Sequence, residues 1–296
     1  MSTLCPLCES RDGRPAFEKK DYAHYECLGC RALYVSPRPT ANEIAQFYRR
    51  KGAESLSSVC WSEDSDSHRH WQDTWRRLLS EVERRSGRGP LLDLGCGTGQ
   101  FLAFAHEQGW RELTGVELVP EAAAIAQKRV GAEIHVSDLT ETSLEGEHFA
   151  VVFLWDIIEH IGDVGAFLRE VHRLLRPGGL AVIGTVNRHG VSLRVLRERA
   201  LTVSPPEHLT FFTRAGLSEA VAAAGLELTR CWSATIYLRE WTRRADIDHY
   251  TEWRSRLTGG SLFRCAMTIA NLALRLTNLG DELIAIARKR GGLPTD

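Results

Sequence analysis

The chain has 296 residues, which is room for one large domain or two modest ones. Its 37 basic and 38 acidic side chains leave a formal charge of −1, a balance that excludes a protein whose main task is gripping a nucleic-acid backbone. Hydrophobic residues make up 43% and include eight Trp, enough for a sizeable core, while the apolar runs fall far short of the ~20 residues that span a bilayer.

The N-terminus, MSTLCPLCES, carries neither the basic nor the apolar segment of a secretory signal, so a cytoplasmic protein is expected. Cys5-Pro-Leu-Cys8 and Cys27-Leu-Gly-Cys30 are two CxxC knuckles separated by 18 residues. Each knuckle can offer two thiolates to one tetrahedral Zn²⁺, and four ligands close the shell, so the ion is expected to be structural. A redox dithiol and a disulfide pair are the rival readings. The redox form wants a strand-to-helix junction, and none follows here. Cys60, Cys96, Cys231 and Cys265 stand singly and read as small buried apolar residues.

A zinc ribbon is thus expected over 1–40, ending in the turn Ser36-Pro37-Arg38-Pro39-Thr40. Thr40 and Glu43 form a capping box for a helix over 41–50. Six Ser between Ser55 and Ser67 mark a candidate lid, and Trp61, Trp71 and Trp75 are candidates to roof a site, with core packing the preferred reading of Trp71 and Trp75. Trp71, Trp75, Leu78, Leu79 and Val82 then give one apolar face of a helix over 70–85. Residues 41–88 together read as a helical linker.

From residue 89 onward the pattern becomes strand–helix alternation. Apolar runs at 90–94, 112–117, 132–136, 149–155 and 179–186 are the strand candidates. Pro120 opens one intervening helix and Gly131 closes it, Asp163 caps another that ends at Arg176-Pro177-Gly178-Gly179, and Thr213 caps a third closed by Gly225. A strand follows near 226–237 and a last one at Glu282–Arg288. Such alternation predicts an α/β fold with a mostly parallel, doubly wound sheet. An insertion of about 240–280 precedes the last strand. In its 261–276 helix, Arg264, Asn271, Arg275 and Asn278 share one stripe, and the rest is apolar. A helix of that kind packs on its own core, the preferred reading, or on lipid or a partner. No oligomer signature is legible.

Leu91-Leu92-Asp93-Leu94-Gly95-Cys96-Gly97-Thr98-Gly99 carries the most chemistry: an apolar strand, a carboxylate, three glycines, then a helix from about Gln100. The glycines permit unusual dihedrals and close approach of a ligand. Glu117, 18 residues after Gly99, ends the next strand, where a carboxylate can accept both ribose hydroxyls. The dinucleotide fingerprint needs Gly or Ala at the position held by Gln100 and a pyrophosphate beside Asp93, so that reading fails. A nucleoside with a cationic amino-acid tail fits better.

This segment resembles motif I of the class I S-adenosylmethionine-dependent methyltransferases, and the likeness runs across about 85–230. It implies a Rossmann-like seven-stranded sheet with an antiparallel final strand, and S-adenosylmethionine held by Asp93, Gly95, Cys96, Gly97, Gly99, Glu117, Leu118, Asp138, Leu139, Trp155 and Asp156. Glu117 matches the ribose acid, Asp138 the acid beside the adenine amino group, and Phe149–His160 the fourth strand with the active-site segment after it. Leu174-Leu-Arg-Pro-Gly-Gly179 matches the turn before strand five. The ribbon resembles one found on methyltransferases of natural-product, surface-sugar and related small-molecule pathways.

Methyl transfer from a sulfonium is an in-line displacement whose main demand is positioning, with a general base useful for a hydroxyl acceptor. His160, just after strand four, and His208, in Pro205-Pro206-Glu207-His208, are the candidate catalytic residues. Asp156-Ile-Ile-Glu159-His160 also resembles the ExxEH segment by which quinone-pathway O-methyltransferases hold a divalent cation, with the shorter Asp in place of the first Glu. The expected function is methyl transfer to a small-molecule acceptor, a hydroxyl oxygen of a natural-product, sugar or quinone-like intermediate. Carbon or nitrogen transfer, an RNA methyltransferase, and a zinc-ribbon adaptor with an inactive domain are the alternatives. Residues 1–50 hold eight basic and six acidic side chains, and Trp155-Asp156-Ile157-Ile158 lacks the Pro-Pro-Tyr/Phe pattern of base amino methylation, so nucleic acid is disfavoured.

Overall fold

The computed structural model describes residues 4–40, 42–44, 46–48, 50, 66–138, 140, 142–236, 273–274 and 276–291. The Ser-rich segment with Cys60 and Trp61, nearly all of the apolar insertion with Cys265, and Leu139 lie outside the described residues.

The catalytic unit is built on a seven-stranded sheet. Its strands are β4 (Leu91–Leu94), β5 (Leu113–Glu117), β6 (Glu133–Val136), β7 (Phe149–Trp155), β8 (Leu175–Val186), β10 (Leu226–Ala234) and β11 (Glu282–Lys289). The spatial order is β10-β11-β8-β7-β4-β5-β6. Strands β4 to β8 pair in parallel, and β11 enters antiparallel between β8 and β10. The continuous apolar runs of β7 and β11 are buried on both faces, as a sheet covered by helices on both sides requires. Order reverses between β4 and β7, so the crevice beyond their carboxyl ends is the switch point where ligands bind in such sheets.

Among the described residues five helices flank the sheet: α1 (Asp66–Ser86), α2 (Gln100–Glu107), α3 (Pro120–Val130), α4 (Val164–Leu174) and α6 (Arg214–Ala223). Trp71, Trp75, Leu78, Leu79 and Val82 form the buried stripe of α1, each contributing about 1.5–3 kcal/mol by leaving water. Asp163 accepts from the Ala166 N–H at 2.8 Å, and Thr213 from the Gly216 N–H at 3.0 Å, as caps. Helix α4 stops at Leu174, earlier than the sequence suggests. Pro177 cannot continue a helix, and Leu175 is already paired with Phe149 of β7.

The N-terminal segment forms β1 (Gly13–Lys19), β2 (Tyr22–Cys27) and β3 (Leu33–Val35), and its sheet is completed by β9 (Thr210–Phe211) from the catalytic unit. Pairs Leu33–Phe211 and Tyr34–Thr210 close that sheet, and an isolated bridge from Asn187 to Phe212 ties it to the end of β8. Cys5, Leu7, Cys27, Cys30, Ala32 and Tyr34 share one apolar cluster with α4, α6 and the main sheet. Beneath the other face of this small sheet, Leu33 and Phe211 pack on Val186, Leu193, Ala200 and Val203, around the short helix α5 (Val191–Leu196). Among the described residues no helix is long and apolar enough to cross a membrane.

Candidate active site

The glycine loop leaves β4 at Asp93 and turns into α2. Gly95 sits at φ 78°, and a Cβ there would meet the Ile157 side chain at 2.2 Å, so only glycine fits. Gly97, at φ 53°, has open space where a Cβ would be, which leaves the backbone accessible to a ligand. Glu117 fixes the loop: it accepts from the Gly97 N–H at 2.9 Å and from the Val119 N–H at 2.8 Å. Cys96 is buried beneath the loop, and burial first, then Asp93 and Glu117, push its thiol well above the usual range, so it packs rather than reacts.

Acidic groups converge around this crevice. Burial, then Glu117, pushes Asp93 up to about 8, and burial raises Glu117 itself. Asp156, at φ 52° with its N–H on the Gly184 carbonyl, is pushed to about 7 by burial. Glu159 is pushed to about 8 by burial and by the Asp156 charge. No cationic side chain pairs with these four carboxylates among the described residues. A ligand carrying positive charge, with a ribose for Glu117, fits that vacancy of charge better than a pyrophosphate does. Asp138 is exposed, and its Oδ1 accepts from the Thr140 N–H and Oγ1 at 2.8 and 2.6 Å in a local turn after β6. Leu118 is half-buried beside Glu117. The Trp155 ring stacks on Phe153, meets Trp71 edge-on at 5.4 Å and lies against Gly184.

The two histidines predicted from distant segments meet. His160 ends a short 3₁₀ turn, Ile158–His160, and its ring centroid lies 4.6 Å from that of His208. Nδ1 of His160 is 2.9 Å from the Glu207 carbonyl and 2.8 Å from the Tyr48 hydroxyl, and Nδ1 of His208 is 2.5 Å from the Thr202 carbonyl. A carbonyl only accepts, so each Nδ1 carries the hydrogen and the lone pair sits on Nε2. Glu159, buried and accepting from Thr185 Oγ1 at 2.8 Å, completes a group in which Glu159, His160 and His208 each bring a ligand atom within 4.8 Å of the others. Asp156 lies outside this group, whose third member is His208. One carboxylate and two imidazoles suit a divalent cation as donors.

Three contributors escaped the sequence. Tyr48 touches His160, and Ile157, which precedes the His160 turn, lies against Gly95, so the histidine pair adjoins the cofactor loop. The Glu207 carbonyl is a backbone contact with no motif. Arg38, in the ribbon's exit turn, donates from Nη1 to the carbonyls of Ile161 and Gly162 and from Nη2 to Thr210 Oγ1. It thereby clamps the segments that follow His160 and His208. Only the shared turn signal Ser36–Thr40 pointed to that neighbourhood.

The knuckle cysteines also assemble. Sγ atoms of Cys5 and Cys30 are 3.6 Å apart and those of Cys8 and Cys27 3.5 Å, with all four within 4.8 Å of one another. A tetrahedral ion with bonds of ~2.3 Å sets sulfurs about 3.8 Å apart, whereas a disulfide needs ~2.05 Å. The four sulfurs thus stand at the spacing of one tetrahedral site.

Residues 65–230 match the methyltransferase-domain family. A ubiquinone biosynthesis O-methyltransferase of Azorhizobium caulinodans is 28% identical over 177 residues, 53% of this chain and 67% of that protein. Its namesake in Aeromonas salmonicida is 29% identical over 209 residues, 66% of this chain and 84% of its own length. Relatives in Bradyrhizobium sp. and Pseudomonas aeruginosa are matched over only 40% and 63% of their length. Among solved structures, the cyclase SpnF superposes with a TM-score of 0.55 at 21% identity, covering 86% of this chain and 99% of that one, which shows a common fold. With the family matched over more than half its length, the chain belongs to the methyltransferase-domain family of S-adenosylmethionine-dependent enzymes.

Proposed function

We propose that the chain is a cytoplasmic O-methyltransferase that methylates a hydroxyl of a small phenolic or quinone-like molecule, and that Cys5, Cys8, Cys27 and Cys30 hold a structural Zn²⁺. The observation that carries the reading is the group Glu159, His160 and His208 beside the cofactor loop. The relatives' names, which specify oxygen as the acceptor atom, support it.

S-adenosylmethionine supplies an activated methyl carbon on a sulfonium. Asp93 and Glu117 hold its cationic tail and ribose, and the bare backbone at Gly97 lets it approach. An imidazole Nε2 of the histidine pair takes the acceptor's hydroxyl proton as the oxygen forms its bond to the methyl carbon. The carbon–sulfur electron pair leaves with sulfur, giving neutral S-adenosylhomocysteine. A divalent cation on Glu159, His160 and His208 would be the alternative to that base, because it would occupy the same Nε2 lone pairs and lower the hydroxyl's pKa in its place. Positioning supplies about 7–11 kcal/mol of the barrier and a base a further 10²–10⁴-fold.

The test is turnover of a catechol and hydroxyquinone panel with methyl-labelled S-adenosylmethionine. Labelled ether and S-adenosylhomocysteine should form one to one. His160→Gln and His208→Gln should each lose about 100-fold in kcat while binding S-adenosylhomocysteine as before. Full activity in both variants, or label on carbon, would overturn the reading.

A further inference from the structure

Arg188 follows the carboxyl end of β8, anchored by its N–H to the Phe212 carbonyl at 2.7 Å. Its guanidinium is half-buried, and its Nε is buried with no acceptor among the described residues. Arginines normally enter such places with a carboxylate or carbonyl in hand. Here one carboxylate, Glu26, bears on it, and the other charged neighbours are cations. Arg31, Arg194 and Arg197 all bear on Arg188 with like charge, and the same set, Arg197 aside, surrounds the half-buried His189.

The acid nearby is already engaged. Glu26 accepts from Arg14 at 2.7 Å through Oε2 and from Arg31 at 2.8 Å through Oε1. Arg197 has only a 3.9 Å contact with Glu198. Three separate segments, the ribbon, the turn after β8 and the α5 region, therefore bring five arginines against two carboxylates. The outer members are open to solvent, with side chains of Arg14, Arg31 and Arg197 at 58%, 49% and 64% exposure.

The cluster lies on the acceptor side of the sheet. Thr185, which bonds Glu159, precedes Arg188 by three residues, at most about 10 Å of chain. Phe212, which holds the Arg188 N–H, follows His208 by four residues. β8 is separated from the cofactor strands β4 and β5 by β7, so an anion here does not compete with the nucleoside. We propose that Arg188, with Arg31 and Arg194, forms an oxyanion site that takes the phosphate or carboxylate of the methyl acceptor. The site deepens the O-methyltransferase reading and rests on it only for the identity of the bound molecule. Guanidinium forks match both anions in a bidentate manner, which an ammonium would not.

The experiment is calorimetric titration of the full-length protein with inorganic pyrophosphate, in wild type, Arg188→Gln, Arg194→Gln and, as a control on α4, Arg169→Gln. Arg194 is exposed, so its variant should fold even where Arg188→Gln does not. The expected result is at least tenfold weaker binding in Arg188→Gln and Arg194→Gln, none in Arg169→Gln, and affinity that falls with added salt. Equal affinity in all four proteins overturns the site. A second arm separates the source of the anion: pyrophosphate should inhibit methyl transfer competitively against the acceptor. Non-competitive inhibition would overturn the acceptor assignment. The titration needs no turnover, so failure of the O-methylation reading leaves the anion site separately testable.

Discussion

Replacing Arg38 with Met keeps the length of the stem and removes the fork that joins the ribbon exit to the two histidine segments. The carbonyls of Ile161 and Gly162 and the Thr210 hydroxyl lose a charged donor. Thr210 is fully buried, and each buried acceptor left without a donor costs about 1–3 kcal/mol. Part of that is returned, because burial already works against the guanidinium and pushes it down to about 10. A net loss of about 2–4 kcal/mol is expected, which lowers Tm by roughly 5–15 °C for a unit of this size. Thermal unfolding should therefore be measured beside titration with S-adenosylhomocysteine. The loop at Asp93–Gly99 shares no bond with Arg38, so nucleoside affinity below Tm should be unchanged while methyl transfer falls. Arg38→Lys, which can reach one or two of the partners, should lie between. A Met variant melting within about 2 °C of wild type, or one losing nucleoside affinity in step with stability, would refute the clamp.

Asp93 gives a pH prediction with a definite sign. Its folded pKa, about 8, lies above the 3.8 of an ordinary Asp, so the folded state holds the proton more tightly. That stability is complete below pH 4 and is lost as pH rises through 8. Asp93→Asn should accordingly exceed wild type in ligand-free melts by a margin that widens from pH 5 to pH 9; a margin that narrows over that range would sink the assignment. Glu117→Ala removes the anchor of Gly97 as well as the ribose acceptor, and titration should show nucleoside binding at least ~100-fold weaker. Metal analysis should find about one zinc per chain, absent in Cys27→Ser, and chelation should lower Tm by several degrees. A metal-free protein with unchanged Tm would point back to the dithiol reading.

What could be read from the chain beforehand was whatever a residue type at a fixed local spacing demands. Two CxxC knuckles assemble into one four-sulfur cluster because two residues between cysteines is already ligand geometry. The glycine loop and Glu117 were legible because a backbone with positive φ and a carboxylate at a strand end leave few alternatives. The apolar run of β11 announced a last strand. By contrast β9 is two residues long, below any periodicity, and exists because β3 offers it an edge. Arg38 and Tyr48 look like ordinary surface residues in sequence, since their partners lie more than a hundred positions away. The meeting of His208 with Glu159 and His160 has the same origin, because the fold delivers it from a different loop.

The shared sheet of β1, β2, β3 and β9 has a consequence for the order in which the chain can be made. All four knuckle cysteines have been synthesised by residue 30, yet the strand that covers the edge of β3 ends at Phe211. At 5–20 residues per second the intervening stretch takes roughly 10–40 s to emerge from a ribosome. Through that interval the nascent N-terminal segment presents Leu33, Tyr34 and Val35 as an uncovered edge, which is the kind of strand that pairs with other chains. A metal bound early would hold the knuckles in register while the rest of the polypeptide catches up. Zinc supply during translation, more than in the finished enzyme, would then govern how much of this protein reaches its native state.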